Sequence, residues 1–442
     1  MSGYIGHLQD FCCAYGIAFK RQGGGDRIET LRSFVELGIL VIRRVPQIAI
    51  TPGIAVLFWL IAGLVFMQYG RVANQERHLY GMVKNSPGRH MIIATLYGII
   101  GGVFASLLLT FIGISLANSG IIYLLPLAFL LFFINPRFMC FSYAGGLVSL
   151  AHLLFGWPDV SVPAIMALVA ILHITESILI YLSGASCVTP LMIQNAYGQV
   201  VGGYSLQRFW PVPLVVLMVA FVPNFQEVGQ AVAMPDWWPL IASIPDQLPD
   251  RYQSIYTLVP VMAVLGYSDL AIGSSPRAKS RLTAGYLAIY SVILLLVSVL
   301  SAQLSLYVWA AVFFAPLGHE LVIYLSNYKE LSTPHQASQG VHVLDVMPRS
   351  PAQRAGLKLG DEIVAVEGIA VRSRGALYGA LAELPAPWRM QVVRDEQLKN
   401  ILLRHQRGPA GLILSPEPGD RPNVDVRRSS RLGRWLKKVL PR

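Results

Sequence analysis

Charge is scarce in this sequence of 442 residues. Only 13% of the residues are Asp, Glu, Lys or Arg, whereas 54% are hydrophobic, and the mean hydropathy is +0.53. A soluble globular protein carries about 25% charged residues. No water-soluble fold of this length can hide so much apolar surface. The composition therefore excludes an ordinary cytosolic enzyme and indicates a membrane protein.

Cysteine is also scarce, and the four cysteines form neither a disulfide framework nor a metal-binding pattern. Cys12 and Cys13 are adjacent, whereas Cys140 and Cys187 lie in or beside apolar stretches. No C-x-x-C spacing occurs, so the sequence supports neither a zinc knuckle nor a dithiol redox site. The motif H-E-x-x-H, which places two zinc-binding histidines and a general base on one helix, is absent as well. The sequence therefore predicts no metal ion and no cofactor.

Acidic residues are outnumbered by basic ones. Lys and Arg total 35 against 24 Asp and Glu, which gives a net charge of +11. In a membrane protein such an excess marks cytoplasmic loops and contacts with anionic lipids. We therefore predict anionic lipid, and not nucleic acid, as the partner of this charge.

Long apolar stretches fill residues 48–325. A transmembrane helix requires roughly 17–25 apolar residues. The candidates are Ile48–Met67, Met91–Leu116, Gly120–Ile134, Phe138–Phe155, Pro163–Ser183, Pro211–Val222, Ile255–Gly273, Leu282–Leu300 and Gln303–Leu325. The sixth is short for a full crossing.

Basic loop residues predict the orientation, because Lys and Arg concentrate on the cytoplasmic side. With the basic C-terminus in the cytoplasm, the loop with Arg277, Lys279 and Arg281 also lies inside, and the Pro-rich segment 223–254 lies outside. The rule fails only at the first candidate, whose crossing would place the basic N-terminal arm outside. We therefore predict about eight crossings with both termini in the cytoplasm.

After Leu325 the sequence changes to mixed polar and apolar alternation, as expected for a soluble domain. Val341 and Val343 have strand spacing, Ser350-Pro351 begins a short helix and Gly356 ends it as a left-handed cap. Residues 343–368 follow V-x-x-V-x-P-x-S-P-A-x-x-A-G-L-x-x-G-D-x-I-x-x-V-x-G. This pattern resembles a bacterial PDZ domain. The resemblance implies peptide binding by strand addition beside a groove.

The order of segments in this domain departs from the PDZ pattern. The carboxylate-binding loop of the family, of G-L-G-Φ type, normally precedes the first strand, but only residues 334–339 separate that strand from the membrane. The segment Gly411–Leu414 follows the closing hairpin, and we predict that it supplies the groove strand in a permuted order, facing a helix over 374–384. The predicted peptide-binding residues are Gly340, Val341, Arg374, Leu377, Leu381, Gly411, Leu412, Ile413 and Leu414. The alternative is a plain edge strand or linker.

The C-terminal tail combines basic and apolar residues at helical spacing. Such a helix would lie on an anionic leaflet. We predict lipid binding by Arg434, Trp435, Lys437 and Lys438. The alternative is a disordered, soluble basic end.

The predicted fold is thus an α-helical polytopic membrane protein with a C-terminal PDZ-like, mainly-β domain. The predicted regions are a basic N-terminal region, cytoplasmic or interfacial, over 1–47, a membrane domain over 48–325, the PDZ-like domain over 335–415 and the basic amphipathic tail over 416–442.

Four polar residues lie within or beside the apolar stretches, where burial is costly and each is a site hypothesis. They are His173, Glu176, His319 and Glu320. The spacing of His173 and Glu176 puts both on one helical face, but no third metal ligand lies at a fixed spacing. Interhelical hydrogen bonding, including a contact of His173 or Glu176 with His319, is the first interpretation. Proton-coupled transport is the second.

The layout of a polytopic core, a short link, one PDZ domain and a basic tail resembles the MinJ-type cell-division topology factors of Gram-positive bacteria. Stretches such as Arg137–Gly146 and His173–Ser177 contribute to this resemblance. It implies a non-enzymatic scaffold of the cell membrane, at the septum or pole, that bridges a DivIVA-like polar coiled-coil protein to division-inhibitor and divisome proteins. The alternatives are a proton-coupled transporter and a degenerate intramembrane metalloprotease-like protein.

Overall fold

The computed structural model describes residues 17–21, 27–116, 120–194, 198–222, 230–235, 237–241, 253–332, 340–404, 410–417 and 419–423. The predicted lipid-binding residues Arg434, Trp435, Lys437 and Lys438 lie outside these ranges.

Helices dominate the described residues before position 333. They are α1 (Arg27–Gln47), α2 (Ile54–Tyr80), α3 (Pro87–Ile112), α4 (Ile121–Ile134), α5 (Phe141–Phe155), α6 (Val162–Ser183), α7 (Pro276–Ser301) and α8 (Leu306–Ser332). Short 3-10 helices over Pro136–Met139 and Gly184–Ser186 precede α5 and follow α6.

Five helices in the described part of the chain are long and apolar enough to cross a membrane, namely α2, α3, α6, α7 and α8. Their outer surfaces carry large exposed apolar side chains, among them Trp59, Leu60, Ile92, Leu96 and Leu296. Exposed apolar surface of this extent matches lipid and not water. The other two apolar helices, α4 and α5, have 14 and 15 residues and fall short of the roughly 20 that a straight crossing needs.

Two of the predicted transmembrane helices are strands, so that part of the prediction is wrong. Residues Pro211–Val222 belong to β3 (Val200–Val222), and residues Ile255–Gly273 overlap β5 (Gln253–Ala271). The two strands pair antiparallel along all of β5, from Tyr204 with Ala271 to Val222 with Gln253. Hydropathy predicts a helix here because it does not register that β-branched residues and prolines favour extended backbone.

β3 and β5 are the centre of a five-stranded sheet. Its order is β2-β3-β5-β1-β4, with β1 at Ile17–Arg21, β2 at Val188–Gln194 and β4 at Gln230–Met234. β2 pairs with residues 200–206 of β3, so β2 does not cover the rest of that edge of β3.

Helix α3 covers this remaining edge of β3 through two glycines. A Cβ atom on Gly98 or Gly102 would lie 2.0 Å from the carbonyl oxygen of Pro211 or Pro213 respectively. Only hydrogen can occupy that space, so glycine lets the helix approach the strand backbone. At the same two positions proline removes the N–H groups that would otherwise need acceptors.

Side chains and a neighbouring loop satisfy other backbone groups along the same edge. Tyr69 Oη accepts a hydrogen bond from Phe209 N–H at 3.2 Å, and Ser106 Oγ accepts one from Val215 N–H at 2.8 Å. Ser115 Oγ accepts from Val219 N–H at 3.2 Å. This edge of β3 is therefore covered by protein. Such cover is what allows unpaired strand backbone to lie at the depth of a membrane.

The C-terminal domain is a separate sheet with two helices. It contains β6 (Val341–Val346), α9 (Pro351–Ala355), β7 (Glu362–Val366), β8 (Ile369–Ala370), α10 (Arg374–Glu383), β9 (Trp388–Arg394), β10 (Gln397–Leu403) and β11 (Leu412–Leu414). The sheet order is β10-β9-β7-β6-β11, and β8 pairs with β7.

Local backbone rules set the turns of this domain as the sequence predicts. Ser350 caps α9 by accepting a hydrogen bond from Gln353 N–H, and Gly356 ends the helix with φ +90°. Gly411, with φ +80°, enters β11 so close to Ser350 that an added Cβ would lie 2.2 Å from the Ser350 Cβ. Both the left-handed conformation and the close approach require glycine.

The C-terminal domain packs against the sheet of the helical region. Leu344, Met347 and Ile413 join the large apolar core of that region, not the core of their own domain. Tyr204 Oη on β3 donates a hydrogen bond to the Leu344 carbonyl at 2.9 Å, and Lys84 forms an ion pair with Asp345. One face of the β6–β11 pair is thus held by the helical region.

Candidate functional site

Strand β11 lies at one edge of the C-terminal sheet and β10 lies at the other. β11 pairs antiparallel with β6, with Leu412 opposite Val346 and Leu414 opposite Val343. Among the described residues, β6 is the only strand with which it pairs. A sheet edge presents backbone donors and acceptors to any extended chain that reaches it.

The hydrogen bonds between β11 and β6 fix which backbone groups point outwards. The Gly411 carbonyl accepts from Met347 N–H at 2.8 Å, so the N–H of Leu412, in the same planar peptide, points the opposite way. Ser415 N–H donates to the His342 carbonyl at 2.9 Å, so the Leu414 carbonyl also points away from β6. One donor and one acceptor therefore face outwards along β11.

Helix α10 shares the apolar core below this edge. Leu377 is fully buried and lies in the same core as Leu414. Leu381 and Leu412 are half-buried and pack against that core. The predicted helix and the predicted groove strand therefore face the same apolar core, on one face of the sheet.

Arg374 connects the start of α10 to the segment that follows β11. Its guanidinium Nη2 donates to Asp420 Oδ2 at 2.5 Å, and its Nε lies 3.8 Å from Glu417 Oε2. Burial of Asp420 opposes its ionisation, but the Glu417 N–H and the Arg374 guanidinium outweigh it and hold the pKa of Asp420 below its usual value. Arg374 is therefore already engaged within the domain.

Three of the predicted peptide-binding residues occupy other positions. Gly340 and Val341 contact β7, which is separated from β11 by β6. Gly340 N–H donates to Glu362 Oε1 at 2.6 Å, and Val341 pairs with Ile363. Ile413 points into the core of the helical region. Strand alternation explains the direction of the Ile413 side chain, because Leu412 and Leu414 share one face of β11 and Ile413 lies on the other.

A second candidate site lies between helices α5, α6 and α8. Cys140 precedes α5, His173 lies in α6 and His319 lies in α8. Cys140 Sγ is 3.0 Å from His173 Nε2 and 3.6 Å from His319 Nε2, and the three atoms lie within 4.8 Å of one another. His173 is buried, and the other two residues are half-buried.

The other polar residues predicted within the membrane domain lie around this cluster. Glu320 forms an ion pair with Arg137 and accepts a hydrogen bond from Tyr143 Oη at 2.6 Å. Glu176 follows His173 by nearly one helical turn on α6 and is half-buried. The rings of His173 and His319 make an edge contact with centroids 5.3 Å apart.

Cys140 is the cluster member that the sequence prediction missed. Its partners are 33 and 179 positions away, so no spacing rule connects them. The usable signal was the coincidence of one cysteine and two histidines, each inside or beside an apolar stretch where polar groups are costly.

The comparisons with known proteins address both regions of the chain. Residues 342–394 match the family model of the PDZ domain. They include β6, α9, β7, β8, α10 and β9, and the predicted PDZ resemblance is confirmed.

A longer alignment relates the chain to a cell-division protein. It is 25% identical over 234 residues to the cell division topological determinant MinJ of Bacillus subtilis strain 168, across 52% of this chain and 55% of that relative. The chain thus matches only about half the length of the relative. The predicted resemblance to the MinJ type is confirmed, and the apolar helices together with the PDZ match indicate a membrane protein that contains a PDZ domain.

Proposed function

We propose that this protein is a non-enzymatic membrane scaffold that recruits cytoplasmic partners through its PDZ domain during placement of the bacterial division site. The observation that carries the proposal is the outward-facing edge of β11 beside α10. PDZ domains bind peptides by adding a strand at such an edge. The similarity to MinJ supplies the cellular context.

The docking of the C-terminal domain supports a scaffold. The β6–β11 pair is fixed to the helical region by Leu344, Met347 and Ile413, whereas Leu412 and Leu414 belong to the opposite face. A partner captured at the edge of β11 would therefore be held close to the membrane domain. By resemblance, the partners are a DivIVA-like polar protein, division inhibitors and divisome proteins, and the basic tail contacts anionic lipid.

Peptide capture at β11 can be tested on the full chain in lipid nanodiscs. The probe is a phage library of random peptides with free C-termini, panned against the wild type, Leu412→Pro and the control Leu412→Val. Proline removes the outward N–H of residue 412, whereas valine keeps it. Peptides enriched on the wild type and on Leu412→Val, but at least tenfold less on Leu412→Pro, support the proposal. Equal capture by all three proteins, or by none, contradicts it.

Localisation in cells tests recruitment independently. Leu381→Glu places a charge beside the groove, and the matched control Leu398→Glu places the same charge on β10, where Leu398 is 60% exposed. We expect fluorescent fusions of the wild type and the control at poles or septa, and diffuse membrane fluorescence for Leu381→Glu. The same distribution for both variants at equal protein level contradicts partner binding through this groove.

A further inference from the structure

We infer that Cys140, His173 and His319 bind one zinc ion at the junction of α5, α6 and α8. This assignment is independent of the scaffold proposal, and it replaces the prediction from sequence that no metal is bound. The thiolate and two imidazoles form a donor set typical of zinc.

The separation of the donor atoms fits a tetrahedral ion. Zinc bonds of about 2.3 Å to sulfur and 2.0–2.1 Å to nitrogen place the two donors about 3.5 Å apart at a tetrahedral angle. Cys140 Sγ lies 3.0 Å from His173 Nε2 and 3.6 Å from His319 Nε2. The sulfur–nitrogen spacing therefore requires only small side-chain adjustments to coordinate one ion.

Both imidazoles are oriented as metal ligands by their second nitrogen. His173 Nδ1 lies 2.7 Å from the Val169 carbonyl, which can only accept, so the ring carries its proton on Nδ1. His319 Nδ1 lies 3.2 Å from Tyr143 Oη, which donates its own proton to Glu320. Both rings thus present the lone pair of Nε2 to Cys140. Such outer partners are usual for histidines that bind zinc.

In these tautomers both Nε2 atoms are acceptors. The protons near them are those of the Cys140 thiol and of the Ser142 hydroxyl, whose Oγ lies 3.3 Å from His173 Nε2. A cation among the three donor atoms binds the sulfur and both Nε2 lone pairs at once.

The position of Cys140 favours the thiolate that a metal requires. Cys140 is the N-cap of α5, and its Sγ accepts a hydrogen bond from Ser142 N–H at 3.4 Å. The positive end of a helix stabilises an anion at this position.

Ser142 marks the fourth coordination position. Its Oγ lies 3.3 Å from both Cys140 Sγ and His173 Nε2, and 3.1 Å from Tyr290 Oη. This hydroxyl, or a water held by it, completes four-coordination. The ion would then join three helices that are distant in sequence.

The first test measures metal content. The full chain is purified without chelator from cells supplied with zinc, and its metals are quantified by mass spectrometry. We expect one zinc per chain in the wild type and in the control His152→Ala, which changes a histidine at the other end of α5. Cys140→Ala and His319→Ala should each lose at least nine-tenths of it. Zinc absent from the wild type, copper in its place, or zinc retained by both cluster variants overturns the assignment.

The second test does not depend on whether the variants fold. Cobalt is exchanged into the wild-type protein, where a thiolate-to-cobalt charge-transfer absorption is expected. Alkylation of Cys140, followed by peptide mass spectrometry, should accelerate at least tenfold after chelation, whereas Cys187, which is buried just after the 3-10 helix that follows α6, should not change. No charge-transfer band together with chelator-independent alkylation contradicts coordination by Cys140.

Discussion

Two buried polar clusters share helix α8 but differ in the groups that they bring together. In the Lys279 cluster, the ammonium donates to the Ser326 carbonyl at 2.6 Å, Ser326 Oγ at 2.8 Å and Asn327 Oδ1 at 3.1 Å. All three of its protons have acceptors. In the Cys140 cluster, one sulfur and two imidazole nitrogens lie within 4.8 Å of one another. A cation already surrounded by its acceptors fixes packing, whereas convergent sulfur and nitrogen atoms are typical of a metal site.

The charge in the Lys279 cluster is also matched. Asp269 on β5 lies 3.4 Å from Lys279 Nζ and accepts hydrogen bonds from Thr283 at 2.9 Å and Tyr267 at 3.1 Å. The cluster therefore connects β5, α7 and α8 with no ligand required. It contains a buried ion pair, and the removal of one partner from such a pair is costly.

The largest expected loss of stability comes from disrupting the Lys279 cluster. Lys279→Met leaves the Asp269 carboxylate without its cation, which costs about 3–5 kcal/mol of stability. Thermal unfolding in detergent, with protein yield, measures the loss. Arg277→Met, at an exposed position in the same turn, is the control. Equal melting of the two variants would show that the Lys279 cluster does not stabilise the fold.

Metal addition should stabilise the protein through the Cys140 cluster only. Zinc at 100 times its dissociation constant raises the free energy of unfolding by about 2.7 kcal/mol. Differential scanning fluorimetry with and without zinc should show this increase for the wild type and none for Cys140→Ser. A shift of the same size in both proteins would place the zinc elsewhere.

An intermediate effect is expected where a similar cation–carboxylate pair lies at the domain contact. Asp345 is 5% exposed and its partner Lys84 is partly exposed. Asp345→Asn should cost about 1–2 kcal/mol, because a hydrogen bond to a charged group becomes a neutral one. Faster hydrogen exchange in β6 and β2 would report the loosened contact. The exposed Asp395→Asn should leave both strands unchanged.

The smallest effect is expected for the Arg374–Asp420 pair, in which both side chains are partly exposed to solvent. The lowered pKa of Asp420 means that its contribution is complete above the unfolded-state pKa of about 3.9 and is lost as pH falls through the folded-state value. We expect less than about 1 kcal/mol. Hydrogen exchange of residues 410–417 should rise below about pH 4 in the wild type. In Asp420→Asn this step should be absent.

The C-terminal domain was predictable because its turns obey local rules. Ser350, Gly356 and the Gly360-Asp361 turn each satisfy a backbone requirement that is visible within a few residues. The late strand Leu412–Leu414 was predictable for the same reason, since Gly411 precedes three apolar residues. Its exact contacts were not, because they depend on the helical region behind β6.

The helical region was harder, because hydropathy does not distinguish a buried strand from a membrane helix. Pro211, Pro213 and Pro260 were the usable signals, since proline inside a helix interrupts its hydrogen bonds. Polar contacts such as Lys279 with Ser326, or Cys140 with His319, join distant segments. No periodicity encodes such pairs, so only the tertiary fold shows which polar residues meet.

The seal between α3 and β3 has a consequence for biogenesis. An isolated β3–β5 strand pair would expose backbone groups to lipid, at a cost of several kcal/mol for each unsatisfied group. Gly98, Gly102 and Ser106 cover that edge, and they precede β3 in the chain, so ribosomes synthesise the covering surface first. The strand pair is therefore expected to enter the bilayer only together with α3. For this chain, membrane insertion is decided by a pair of segments and not by the apolarity of each one.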